Sequence, residues 1–196
     1  MRILLALLVA LGLVVLPVVA KKKKTAAVPI LKTEALRNIL GVKPQYNGEV
    51  ADCGVVLYLM APIVSNDFDV QRKEQDKQRK TTKVLKRVAN LMGDRRDVVA
   101  FGRFPFAPNK IWMRMHTTVE TWGDEWKGSI AFAKSPAPKL RKRWAQRKIP
   151  LEFVKLEDGS AAGISHFLNE NCGTNIDIPS SPGTKKENKQ HDAQEL

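Results

Sequence analysis

The chain of 196 residues reads as an α/β protein, a three-layer sandwich of helices around a mixed central sheet. Three observations predict this class. Apolar runs of strand length alternate with helical patterns. Strands separated by helices call for parallel pairing. Two adjacent strand-like runs near the end of the chain call for an antiparallel edge.

The elements follow in order. Thr33 is placed to cap a short helix through "EALRNILG", with Leu36, Ile39 and Leu40 on one face and Gly41 as its stop. Val55 to Met60 is a buried strand. From Phe68 to Met92 the pattern is helical but uneven. Its second half sets Val84, Leu85, Val88, Leu91 and Met92 at core-facing intervals, whereas "QRKEQDKQRKTTK" has no apolar residue and is expected to project into solvent or stay loop. "DVVAFGRF" is a second buried strand. Pro108 and Asn109 open a helix, "NKIWMRMHTTVETWG", that Gly123 closes. Ser129 to Ala133 is a third strand, and "PLEFVKLEDG" a fourth, alternating one with a turn at Asp158-Gly159. Ser160 begins a last helix that carries Ile164, Phe167 and Leu168 toward the core. The tail from Gly173 is rich in proline, serine and charge.

The ends speak to location. Met1-Arg2 precedes "ILLALLVALGLVVLPVVA", and small residues at Val18 and Ala20 complete the pattern of a secretory signal peptide over 1–20. The alternative is an uncleaved anchor of borderline spanning length. Residues 21–27, with the tetralysine Lys21 to Lys24, form a basic disordered leader, 28–173 the folded domain, and 174–196 a disordered tail. That tail ends in Ala193, Gln194, Glu195 and Leu196, which resembles the KDEL-type retrieval signals of the endoplasmic reticulum. The expected location is therefore the endoplasmic reticulum lumen, with a retrieval receptor as one partner.

Processing at Ala20 would leave about 176 residues, enough for one domain with a real core. The net charge of +13 favours acidic partners such as phosphates, anionic headgroups or acidic proteins. A lumenal location argues against nucleic acid. No Asn-x-Ser/Thr sequon occurs in the chain.

The element order and the stretch "VVLYLMAP" together resemble the thioredoxin-like fold of the protein disulfide isomerase family, whose first core strand runs through aliphatics and an aromatic into Ala-Pro. The resemblance covers roughly Val28 to Cys172. In that family the next residues are Trp-Cys-x-x-Cys. Here the loop is Pro62, Ile63, Val64, Ser65, Asn66 and Asp67, with Val64 and Asp67 where the cysteines would stand. The proline that usually precedes the third core strand is also missing, since Lys127 and Gly128 occupy that stretch. Thiol–disulfide exchange needs an exposed thiolate of lowered pKa and a second thiol to resolve the mixed disulfide. The resemblance therefore implies a redox-inactive module that binds clients or chaperones. Its expected partners are unfolded or secretory proteins or an acidic lumenal chaperone. Rival readings are an atypical oxidoreductase using a single cysteine and a basic adaptor for acidic lipids or proteins.

The same resemblance bears on Cys53 and Cys172, the only two cysteines. In a thioredoxin-like fold the first core strand begins, and the last helix ends, at the end of the sheet opposite the Ala-Pro loop. A disulfide in an oxidising compartment is one reading; two separate thiols are the other.

No other catalytic constellation emerges. His116 and His166 fall on different helices without ligand-spaced partners, and His191 lies in the tail, so no metal or cofactor is expected. Ser65 lacks a base and reads as a helix cap, with Asn66 and Asp67 as rivals. Two basic tracts remain. Arg72 to Arg87 holds eight Lys/Arg against two acids. The insertion 136–148 carries Lys139, Arg141, Lys142, Arg143, Trp144, Arg147 and Lys148. Such tracts read as a solvated charged surface, or as docking sites for acidic proteins or a membrane surface. Core packing accounts for Trp112; Trp122 and Trp126 are either buried or line an apolar groove.

Overall fold

The computed structural model describes residues 26–42, 50–93, 95–145 and 150–178. The expected signal segment, the tetralysine and the retrieval tetrapeptide lie outside them. In chain order the elements are α1 (Thr33–Ile39), β1 (Gly54–Met60), α2 (Phe68–Leu91), β2 (Val99–Pro105), α3 (Phe106–His116), β3 (Ile130–Lys134), α4 (Pro138–Ala145), β4 (Phe153–Lys155) and α5 (Ala161–Cys172).

The fold is mixed α/β. Its four-stranded sheet has the order β2-β1-β3-β4. β1 lies inside, and its seven residues alternate between two cores. Val55, Leu57 and Leu59 face α1, α3, Trp122 and Trp126. Val56 and Tyr58 face α2 and α5. Burial on both faces is why this strand is continuously apolar rather than alternating. Transferring such side chains out of water contributes roughly 1.5–3 kcal/mol each, so β1 is the centre around which the layers assemble.

Pairing departs from expectation at one strand. β1 and β2 are parallel, with Gly54 opposite Val99 and Met60 opposite Pro105. β3, although a helix separates it from β2, runs antiparallel to β1 and to β4. The reason is the path after α3. That helix ends at His116, well short of Gly123. Thr117 turns extended and bridges Leu151, and Trp122 caps the turn by donating from Nε1 to Thr117 Oγ1 at 3.0 Å. The chain thus returns along the sheet once more and enters β3 beside the end of β1, where the Leu59 N–H donates to Ser129 O and the Gly128 N–H to Leu59 O.

Other expectations shift locally. Lys32, not Thr33, occupies the cap of α1 and offers no side-chain bond. The polar first half of α2 is helical throughout. The N- and C-terminal limits also move outward. Ala26 is buried and its N–H donates to Asn90 Oδ1 at 2.7 Å. Beyond α5, which ends in the left-handed Gly173 (φ 59°), Thr174 and Ile176 are buried. The side chain of Asn169 holds this return: its Oδ1 accepts from the Ile176 N–H at 2.9 Å and from Thr174 Oγ1 at 2.8 Å. The leader and the tail therefore contribute at least these residues to the core.

Candidate functional site

The loop after β1 is built by polar staples. Asp67 caps α2, its Oδ1 accepting from the N–H groups of Asp69 at 2.8 Å and Val70 at 3.4 Å. Of the three rival caps it is the one used. Ser65 Oγ accepts from the Asp67 N–H at 3.0 Å, a turn-making contact that involves no base. From the helix, Gln71 Nε2 donates to Ser65 O and Gln78 Nε2 donates to Ala61 O at 3.1 Å. These two glutamines and Glu74 are half-buried on the inward stripe of α2, which apolar residues take over at Leu85. The segment without apolar residues therefore contacts the loop through Gln71 and Gln78, while most of its other residues face solvent. Spacings of 3 and 4 between Gln71, Glu74, Gln78, Thr82 and Leu85 carry the signal, but only if polar residues are admitted to the inner stripe.

Against this fixed backbone the apolar side chains point outward. Val64 is 79% exposed and Phe68 86% exposed, with Ile63 and Val70 also exposed beside them. Pro62, Asn66 and Asp67 are exposed as well, and Ser65 is half-buried. Exposed apolar side chains brought together in this way, at the end of a strand and the start of a helix, are a mark of interaction surfaces. Near the same end of β1 lies the turn Lys127-Gly128. Gly128 adopts φ 71°, and Lys77 Nζ approaches within 3.2 Å of the position a Cβ would take there. Lys127 Nζ pairs with Asp124 Oδ1 at 2.7 Å, and this bond and charge hold the Asp124 carboxyl below its ordinary value.

Cys53 and Cys172 are joined, with a Cα separation of 5.6 Å. Since these are the chain's only cysteines, no thiol remains in this state. The bond sits just before β1, and the loop follows that strand. Seven extended residues put the two about 20 Å apart.

The remaining candidates are dispersed. His116, on α3, packs against Trp112 with ring centroids 5.2 Å apart and planes tilted by 44°. His166, on α5, pairs with Glu170 across one helical turn, Nε2 to Oε1 3.2 Å. The two helices pack on opposite faces of the sheet. Among the described residues no group of His, Cys, Asp and Glu could hold a metal ion, and no helix is long and apolar enough to cross a membrane. Within the basic insertion, Lys139 and Arg143 are exposed on α4. Arg141 folds back instead, its Nε donating to Pro136 O at 3.1 Å and its Nη2 lying 3.7 Å from Asp52 Oδ1. Lys142 and Trp144 belong to α4, but their side chains are outside the described ones, as are Arg147 and Lys148. Trp122 and Trp126 are buried, their rings 4.4 Å apart by centroid, so neither lines a groove; Trp112 is the half-buried one. Comparison with known proteins returns nothing to set beside this arrangement: no family model, no curated protein and no solved structure matches the chain.

Proposed function

We propose that this protein is a redox-inactive, thioredoxin-like module of the endoplasmic reticulum lumen that assists folding or quality control by holding unfolded clients or a chaperone. The observation that carries the reading is the exposed apolar set formed by Val64 and Ile63 on the loop after β1 and by Phe68 and Val70 on the first turn of α2. Strand order and direction support the fold assignment, because a parallel β1–β2 pair joined through α2, with an antiparallel β3–β4 pair added on the other side of β1, is the arrangement of thioredoxin-like proteins. The signal-like segment 1–20 and the Ala193–Leu196 tail support the location. A disulfide far from the loop argues against the single-cysteine oxidoreductase, which would first have to reduce Cys53–Cys172.

The test is aggregation of a thermally unfolded client in the presence of the full chain. The wild type is expected to suppress light scattering. The Val64→Asp/Phe68→Asp variant should lose most of that suppression while melting at the same temperature, because both side chains are exposed. Equal suppression by the two proteins would remove the patch from the function. Turnover in an insulin-reduction assay would return the oxidoreductase to consideration.

A further inference from the structure

Between residues 77 and 91, helix α2 carries Lys77, Arg79, Lys80, Lys83, Lys86 and Arg87 and no acid. Like charges spaced i, i+4, as in Arg79 and Lys83, weaken a helix. Where this face meets the sheet edge the structure forms a groove of about 350 Å³, lined by Arg79, Lys83, Lys86 and Arg103 and otherwise only by the uncharged Gln75, Gln78 and Thr82. No carboxylate among the described residues lines it. Among the described residues Lys83, Lys86 and Arg103 make no ion pair, and Arg79 has only a loose, exposed one, Nη1 to Asp76 Oδ1 at 3.9 Å.

Arg103 is the preorganised member. It continues the alternation of Val99 and Phe101, which places it on the α2 side of β2. The peptide on either side of it is fixed by Pro29 and Leu31: the Arg103 N–H donates to Pro29 O and its carbonyl accepts from the Leu31 N–H, both at 2.8 Å. Its Nε donates to Val28 O at 3.1 Å. The guanidinium is thereby oriented through Nε, leaving the Nη edge for a ligand.

We infer that this groove binds a phosphate group, carried by a small soluble ligand or by a lipid headgroup. Four cations exceed what one carboxylate could neutralise, whereas a phosphate or diphosphate offers several charged acceptors. An oriented guanidinium supplies paired donors to tetrahedral oxygens, and lysines add point charge. The volume sits at the small end of ligand sites, roughly 300–1,000 Å³, and exceeds the needs of a bare phosphate ion. The inference uses neither the apolar loop nor the proposed function, so either can fail alone.

The experiment is calorimetric titration of the full chain with pyrophosphate at low salt, repeated with Lys83→Glu/Lys86→Glu and with Lys139→Glu/Arg143→Glu on α4. The two double variants change net charge equally. Pyrophosphate should bind the wild type and the α4 variant alike, and the α2 variant about tenfold or more weakly, as expected for losing charged hydrogen bonds. Flotation with phosphatidylcholine vesicles, with and without phosphatidylinositol phosphate, separates the sources. Phosphate-dependent flotation that the α2 variant loses assigns a headgroup; pyrophosphate binding without flotation assigns a soluble ligand. Absence of pyrophosphate binding, equal weakening by both double variants, or equally tight binding of a glutamate oligomer of matched charge would overturn the inference.

Discussion

Tyr58 is fully buried in β1, yet its hydroxyl finds no hydrogen-bond partner among the described residues. Burial pushes its pKa up to about 12, and the Glu74 carboxylate adds to the shift. The neutral form is the one the fold accommodates. Its contribution is therefore intact below pH 10, the ordinary value, and is lost as pH rises from there through about 12. Tyr58→Phe should remove this part of the alkaline unfolding. It should also raise stability at neutral pH by about 1 kcal/mol, since a buried hydroxyl without a partner costs about 1–3 kcal/mol. Denaturant melts of both proteins at neutral and alkaline pH check the pair of effects, and a loss of stability at neutral pH would show a partner for the hydroxyl. At this scale the sequence was legible for type and not for surroundings. An aromatic in the middle of "VVLYLM" is evidently core, but nothing in the string says whether its polar tip is satisfied. The tryptophans teach the same lesson. Trp112, at helical spacing, is only half-buried, while beyond the helix Trp122 closes the core against Phe153 and Phe106 and the buried Trp126 packs on Trp122. Large rings in an irregular segment have no periodicity to report which way they face.

Helix α2 shows why element-level reading succeeded for type and failed for extent and role. Its apolar half was plain from Leu85 and Val88. Its polar half was opaque because the inner stripe holds hydrogen-bonding side chains in place of hydrophobes, and these serve the loop. The same loop is tied at Asp67, where removing the cap exposes two backbone donors. Asp67→Ala should cost about 1 kcal/mol. Gln78→Ala should cost a comparable amount, because the Ala61 carbonyl loses its donor. The two effects differ in readout. Asp67→Ala should fray the first turn, seen as faster amide exchange at Asp69 and Val70, whereas Gln78→Ala should loosen the loop and, under the proposed function, weaken client binding without that fraying. Amide exchange with wild-type protection in both variants would show that neither contact shapes the loop. α3 failed in the opposite direction. Its pattern continues through "TTVETWG", but the Thr118 N–H donates to Leu151 O at 2.9 Å and the Leu151 N–H to His116 O at 2.8 Å, and that tertiary offer outweighs the local preference to stay helical.

At the level of the molecule, the number of layers and the mixed sheet could be read from element order, but the direction of β3 could not. A single helix between two strands implies a parallel crossover only when the chain does nothing else between them. Here the 13 residues from Thr117 to Ser129 add a second traverse, and irregular polypeptide carries no mark of its direction. The packed ends were hidden for a related reason: Ala26 is a small residue at the end of the basic leader and Ile176 stands between Asn175 and Asp177, so both take their roles only from the core they meet. The disulfide is the long-range feature with the largest expected effect. It joins positions 119 residues apart, so it restricts most of the described chain when unfolded. In the chain-entropy model a loop of this length contributes about 4–5 kcal/mol. Cys53→Ser/Cys172→Ser should accordingly melt about 10–15 °C lower, at about 2–4 °C per kcal/mol for a domain of this size. Under the proposed function it should keep the wild-type suppression of client aggregation at temperatures where it remains folded, because Val64 and Phe68 sit at the other end of β1. Thermal melts and light scattering on the same samples decide both points. A shift of only a degree or two would mean that the ends of β1 and α5 are already held by packing alone. Loss of suppression in folded protein would mean that the strand transmits the bond's constraint to the loop.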